Sequence, residues 1–399
     1  MKILMINSVC GIRSTGRICT DLADMLEKKG NIVKIAYGRV TVPKQYVKYA
    51  IKIGSSADVG IHLGMSLLWD CSGLLSKTPT EEFIRWVQEY DPDIIHLHNI
   101  HGFYMNINIL FDYLKSCHKK IIWTLHDCWA FTGHCAYFDY SGCEKWKTCC
   151  KQCPSLKEYP PCFGVDQSKR NFELKKKLFT GLDNMVIVTP SQWLADLVKE
   201  SFLAEYPVRV VHNDINHSVF HQNVKPAILP DNLKSKRIIL GVASIWEKRK
   251  GLADFLALSK LISDEYQIVL VGLSKYQIKQ LPENVTGITH TADAKELASL
   301  YAVADVFVNL TYEDNYPTTN LEAQACGTPV ISYETGGSTE SAREYGIVVK
   351  KGDLSAVASI INNKKYLECR DCRSNHAFLE EYANIYMNNH MDKERSVME

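Results

Sequence analysis

MKILMINSVCGIRSTGRICTDLADMLEKKGNIVKIAY, residues 1–37, holds two short apolar runs, ILMI and IVKIAY. Between them lie a glycine-bearing loop and a helical pattern from Ile18 to Lys28, which Gly30 ends. A strand, a helix and a second strand, both strands apolar throughout, make a βαβ unit of a parallel sheet buried on both faces. Working outward, the pattern repeats. DIIHLH (93–98), KIIWTLH (120–126) and MVIVTP (185–190) read as strands, with helical stretches such as TEEFIRWVQEY and INILFDYLKSC between them. RVVHND (209–214) closes the series, and a polar, proline-bearing stretch from Asn216 to Lys236 follows. At Arg237 the alternation restarts with RIILGVAS, YQIVLVG, DVFVNL and PVISY. The fold class predicted is α/β, with two doubly wound Rossmann-like domains facing across a cleft. The boundaries expected are 1–215, with a cysteine-rich insertion at about 128–165, then 216–375, then a helical tail at 376–399 that packs back on the first domain.

The formal net charge of +1 gives no global attraction to nucleic acid, and no nucleic-acid partner is expected. No apolar run is as long as a membrane span, and MKILMINSV is too short for a signal peptide. A cytoplasmic protein follows, so its fourteen cysteines read as thiols or metal ligands.

Ligands of open α/β sheets bind beyond the carboxyl ends of the strands. YEDNYPTTNLEAQACGTPVI (312–331) lies there, after DVFVNL. Pro317 suits a first helical turn, and the free N–H groups around Pro317 to Leu321 would form an anion site. Asp314 and Glu322 stand eight residues apart, and a carboxylate can accept two hydrogen bonds from a sugar diol. The competing reading is a surface helix whose acids serve its dipole. GVASIWEKRKGL (241–252) places Lys248, Arg249 and Lys250 just before a helix, where cations oppose the dipole and suit a bound diphosphate; a solvated basic turn is the alternative. His126, in TLHDCW, follows a strand, and His96 and His98 share one strand face. The loop GIRSTGRI carries Gly11 and Gly16 without the full Gly-x-Gly-x-x-Gly spacing, which counts against a dinucleotide oxidoreductase.

Together these residues resemble family-4 retaining glycosyltransferases. DNYPTTNLEAQACGTPVI is similar to the family's Glu-x7-Glu signature, and WEKRKGL to its Lys-Gly diphosphate loop. VVHNDINHSVF resembles its interdomain motif; TLHD and YETGGSTE also match. The whole pattern looks most like the colanic-acid and capsule-type members. The resemblance implies a GT-B fold and transfer of a hexose from a UDP- or GDP-sugar, with retention and no catalytic metal. It implies a saccharide or undecaprenyl-diphosphate-linked saccharide acceptor, met at the inner face of the cell membrane. By the same resemblance Glu322 holds the ribose and Asp314, where the family usually has Glu, contacts the donor sugar. Asn315, Tyr316, Pro317, Thr318 and Thr319 support sugar and phosphate. Lys250, with Arg249 or Lys248, neutralises the diphosphate; His126 meets the donor sugar; the loop Gly11 to Gly16 admits acceptor and phosphate. Ser244 stands where many members have Arg, and Asp214 and Asn216 replace the usual Gly and Asp. A GT-B phosphorylase or epimerase, or a nucleotide-sugar-binding partner subunit of weak catalysis, fits the same residues.

GHCAYFDYSGCEKWKTCCKQCP (133–154) offers Cys135, Cys143, Cys150 and Cys153 as a four-thiolate set for structural zinc, with His134 or Cys149 as substitutes. Unligated buried thiols are the alternative. Cys369 and Cys372 form a further pair with no partner cysteines nearby. Lys44, Lys48 and Lys52 at helical spacing, and KRNFELKKKLF (169–179), are two basic stretches suited either to an anionic membrane or to solvent.

Overall fold

The computed structural model describes residues 1–342, 346–368 and 377–387. The Cys369 and Cys372 pair and residues 388–399 lie outside them. The chain divides into two compact units, Met1–His212 with the C-terminal segment from His376, and Asn213–Asn375.

The first unit is built on β1 (Lys2–Asn7), β2 (Ile32–Tyr37), β3 (Ala50–Lys52), β4 (Ile94–Leu97), β5 (Lys120–Thr124), β6 (Met185–Thr189) and β7 (Val208–Val210). They form one parallel sheet in the order β3-β2-β1-β4-β5-β6-β7. Ile3, Leu4 and Met5 of β1 are fully buried, as the continuous apolar run requires of a strand covered on both faces. The second unit holds β8 (Arg237–Val242), β9 (Tyr266–Val271), β10 (Val285–Ile288), β11 (Val306–Asn309), β12 (Val330–Glu334) and β13 (Gly346–Lys350), again all parallel, in the order β10-β9-β8-β11-β12-β13. In each sheet the winding reverses beside the first strand, between β1 and β4 and between β8 and β11. Those switch points are where such sheets hold ligands.

Three edge elements, β3, β10 and β13, were not foreseen as strands. The lysine-bearing stretch 43–54 corrects an expectation. Lys44–Tyr46 is a single 3-10 turn and Ala50–Lys52 pairs with β2, so Lys44, Lys48 and Lys52 do not share a helix face. Lys48 is paired with Glu27 and Lys52 donates to the Gly38 carbonyl at 2.6 Å. Three residues of strand cannot show a period, and pairing with a neighbouring strand decided the outcome.

The helix Ala377–Met387 packs in the first unit. Phe378, Tyr382 and Tyr386 join the core over β1 and β4, and Lys120 donates to the Ile385 carbonyl at 2.6 Å. Tyr386 shares a 2.5 Å hydrogen bond with His96 Nδ1, while His96 Nε2 meets Thr124 Oγ1 at 2.8 Å. His96 is therefore a structural residue, and burial, reinforced by His126, pushes its pKa down to about 3. His62 accepts from the Gly73 amide at 3.2 Å and is pushed down to about 4 by burial, which the Cys71 carbonyl only partly opposes. Both histidines stay neutral in the folded chain while their unfolded counterparts protonate near pH 6.5. Their contribution to stability is complete above pH 6.5 and is lost as pH falls toward 4, at about 1.4 kcal/mol per pH unit for each. Urea unfolding of the first unit at pH 7.5 and pH 5 should show this slope, and His96→Gln should remove one proton's share. An unchanged slope in that variant contradicts the assignment.

Candidate active site

In the second unit three loops meet beyond β8, β11 and β12. After β8, Lys248–Lys250 form one 3-10 turn and Gly251 follows in the left-handed region (φ 76°). A Cβ on Gly251 would stand 2.1 Å from the Leu310 carbonyl oxygen at the end of β11, so only glycine lets the two loops approach. The Arg249 carbonyl accepts from the Tyr312 amide (2.7 Å) and Thr311 Oγ1 (3.2 Å), which ties the loops together. The Arg249 guanidinium is engaged by Glu247 (3.1 Å) and by the Glu313 carbonyl (3.2 Å). Lys250 Nζ donates to Asp314 Oδ2 at 2.5 Å, with both side chains mostly buried. Lys248 is exposed and makes no ion pair among the described residues.

The helix Thr318–Ala325 starts after Pro317, which holds an extended ψ of 117°. It has no side-chain cap and no acid in its first turn, so its amino end keeps its positive character. Asn315 is buried, and the Tyr316 carbonyl accepts from Asn213 at 3.3 Å. Glu322, one turn into the helix, is only 4% exposed and accepts from the Tyr301 hydroxyl at 3.1 Å. Asn320 links β11, through Asn309 (2.9 Å), to Ser341 (2.9 Å) of the short helix Ser338–Ala342, which follows the loop after β12. That loop closes the third side: Gly337 donates to the Asp314 carbonyl (3.2 Å) and Thr335 to the Tyr312 carbonyl (2.8 Å). The buried Ser338 hydroxyl has no hydrogen-bond partner among the described residues. YETGGSTE was matched in the sequence without a role; its contacts to 312 and 314 show how it shapes this site. Asp214 and Asn216 build a turn, accepting from Ile215 and His217 and from Ser218 respectively.

In the first unit, Asn7 joins the loops after β1 and β4: Nδ2 donates to the Val9 carbonyl at 2.8 Å and Oδ1 accepts from the Asn99 amide at 3.2 Å. Gly16 carries the close turn, its carbonyl accepting from Gly11 at 3.1 Å. His126, after β5, shares a 3.0 Å hydrogen bond with His98. Burial pushes it down to about 4, an effect Asp127 opposes and His101 reinforces. Sequence reasoning missed the neighbouring group. His101 Nε2 lies 3.0 Å from Asp127 Oδ2 and its Nδ1 3.3 Å from the Tyr159 hydroxyl. Burial alone would lift the Asp127 carboxyl, but His101 and the Trp129 amide outweigh it and leave the pKa lowered. Burial raises the Tyr159 phenol, while the half-buried Arg39 beside it works the other way. Arg13 at the start of the helix Arg13–Lys28, Val40 after β2 and Phe103 after β4 all hold left-handed backbones that only glycine adopts freely. His101 lies five residues past His96 in HLHNIH, and that spacing was the signal available.

The zinc expectation is corrected. Among the described residues no group of three or more His, Cys, Asp or Glu is arranged to hold a metal ion. Cys135, Cys143, Cys150 and Cys153 do line one small cavity, but with Phe138 and Trp146 stacked 4.8 Å apart among them. Three of the sulfurs have protein partners: Cys150 Sγ accepts from the Gly133 amide at 3.2 Å, and Cys135 pairs with Cys153, drawing the latter down to about 7. His134, the substitute ligand, is held by Asp70 at 2.5 Å. The unligated-thiol alternative fits this packing, and none of the twelve described cysteines forms a disulfide among the described residues.

With this geometry in view, the family model for Glycosyltransferase Family 4 matches residues 15–219, and that for Glycosyl transferases group 1 matches 236–363. The chain belongs to glycosyltransferase family 4. A protein of Escherichia coli (strain K12) assigned to colanic acid biosynthesis as a glycosyl transferase is 26% identical to this glycosyltransferase, over 74% of this chain and 76% of its own. Sucrose-phosphate synthase from Thermosynechococcus elongatus superposes with a TM-score of 0.66 at 17% identity, covering 96% of this chain and 98% of that one. An Anabaena protein solved with UDP-glucose superposes with a TM-score of 0.60 at 13% identity, over 92% of each chain. The glycosyltransferase thus has the GT-B fold, two parallel sheets flanked by helices. None of its helices among the described residues is long and apolar enough to cross a membrane.

Proposed function

We propose that this glycosyltransferase transfers a hexose from a UDP- or GDP-sugar to a saccharide, or to a saccharide carried on undecaprenyl diphosphate, during assembly of a surface polysaccharide. Transfer proceeds with retention at the anomeric carbon and without a catalytic metal, at the cytoplasmic face of the membrane. The observation that carries the reading is the Lys250–Asp314 pair, 2.5 Å long, beside the uncapped amino end of the helix Thr318–Ala325. A fixed cation and free helix amides suit a diphosphate whose charge grows as the sugar departs. Lys248 adds a second charge; Arg249, held by Glu247, sets the shape of the loop. Asp314 then faces the donor sugar hydroxyls, and Glu322, held by Tyr301, takes the ribose diol. Backbone amides of Asn315, Tyr316, Thr318 and Thr319 support sugar and phosphate, and Pro317, which has no N–H to donate, fixes the turn between them. From the first unit the Gly11 to Gly16 loop admits the acceptor and phosphate and His126 meets the donor sugar, with the His101–Asp127 pair in the neighbouring loops. The leaving phosphate takes the acceptor proton on the same face, which requires no protein nucleophile. The colanic acid relative and the neighbour solved with UDP-glucose support the product and donor classes.

A thermal-shift screen against UDP-, GDP- and ADP-sugars tests the donor. One nucleotide class should raise the melting temperature, in line with about 2.7 kcal/mol of stabilisation at a ligand concentration a hundredfold above Kd. Sugar released to an acceptor should follow with that donor only. No stabilisation by any nucleotide-sugar ends the proposal.

A further inference from the structure

The helix Ser56–Trp69 in the first unit buries the wrong residues for an ordinary surface helix. Its buried side chains are His62 and Ser66. Ile61 is 66% exposed, Leu68 50%, and Met65 and Trp69 also face solvent. Between Asp58 and Asp70 the sequence VGIHLGMSLLW carries no acid, lysine or arginine. His62 explains the orientation: it is anchored inward by Ser76 at 2.8 Å and by the Gly73 amide, which forces the apolar side chains outward. The patch continues onto a second segment. The amides of Phe163 and Val165 donate to the Leu67 and Leu68 carbonyls at 2.7 and 2.8 Å, and both side chains are mostly exposed. A contiguous apolar patch of this kind marks an interaction surface.

The charge at its rim points to the partner. Asp70, just past the helix, accepts from the Gln167 amide at 3.1 Å, and its carbonyl accepts from Asn171 at 2.6 Å. Those bonds bring the first turn of the helix Ser168–Phe179 to the edge of the patch. Lys169 and Arg170 lie in that turn, exposed, with no ion pair among the described residues. Cations in a first turn oppose the helix dipole, so they do not serve their own helix. An apolar face ending in tryptophan with unpaired cations at its border is complementary to a bilayer of anionic lipid.

We infer that the outward face of Ser56–Trp69, continued by Phe163 and Val165 and bordered by Lys169 and Arg170, docks on an anionic lipid surface. This deepens the reading of a lipid-carried acceptor and rests on it, but the binding is measured without any substrate. The full chain is floated with vesicles of phosphatidylcholine alone and with about one third phosphatidylglycerol. The wild type should bind the anionic vesicles, and Ile61→Ser with Leu68→Ser should bind at least about tenfold more weakly. Lys169→Glu with Arg170→Glu should lose the preference for anionic over neutral vesicles. All four positions are exposed, so melting temperatures should stay unchanged. Equal binding of the serine variant overturns the inference. So does a wild type that stays out of the vesicle fraction, or a serine substitution that halves the mass in sedimentation, which would make the occupant a second copy. Transfer to a lipid-free saccharide separates the two readings: both variants should retain it, and its absence in the wild type overturns the reaction while leaving vesicle binding as the measure of docking.

Discussion

Lys250→Ala should lower kcat by about a hundredfold, about 2.7 kcal/mol of lost transition-state stabilisation. Two effects add. On the proposed assignment the ammonium is removed from the position where charge grows on the leaving diphosphate. Asp314, now without its 2.5 Å partner, turns its charge toward the same anion. Because the diphosphate is more negative in the transition state than in the bound donor, kcat should fall more than the donor KM rises. Lys250→Arg keeps the charge and should recover part of the loss; adding Asp314→Asn to Lys250→Ala should recover another part by removing the uncompensated carboxylate. Steady-state kinetics with the donor found by the thermal-shift screen reads all of these. Full kcat in the alanine variant would falsify the assignment of Lys250.

Gly251→Ala should destabilise the second unit by about 3 kcal/mol. The residue must hold φ 76°, and its new Cβ would lie 2.1 Å from a backbone oxygen that cannot move without shifting β11. For a unit of this size that is about 6–12 °C in Tm. Scanning calorimetry should show the transition of the second unit lowered and that of the first unit unmoved. The loop 248–250 is also held to residues 311–313 through Arg249, so the variant should lose donor stabilisation even below its transition. An unchanged Tm shows that the two loops have room that the geometry denies.

Residues 1–37 already contained the architecture, because a parallel sheet covered on both faces needs uninterrupted apolar strands and nothing else produces that rhythm with helices between. The restart at Arg237 marked the second sheet for the same reason. The loops proposed to carry the chemistry were legible too, since they follow strand ends: 248–250, 312–322 and His126 all lie there. Partnership was not legible. That Lys250 closes on Asp314, that Tyr301 holds Glu322, and that His101 meets Asp127 and Tyr159 depends on residues 21 to 64 positions apart. The thiols showed the limit from the other side, for spacing named four sulfurs and only their packing showed that three of them meet protein partners. Sequence alone determined which residues are apolar, which are charged and which strand each follows, because those are local properties of the chain. Tertiary structure alone decided that the helix Ser56–Trp69 faces outward. Its sequence is as apolar as a core helix, and the anchoring of a single buried histidine settled which side meets the solvent.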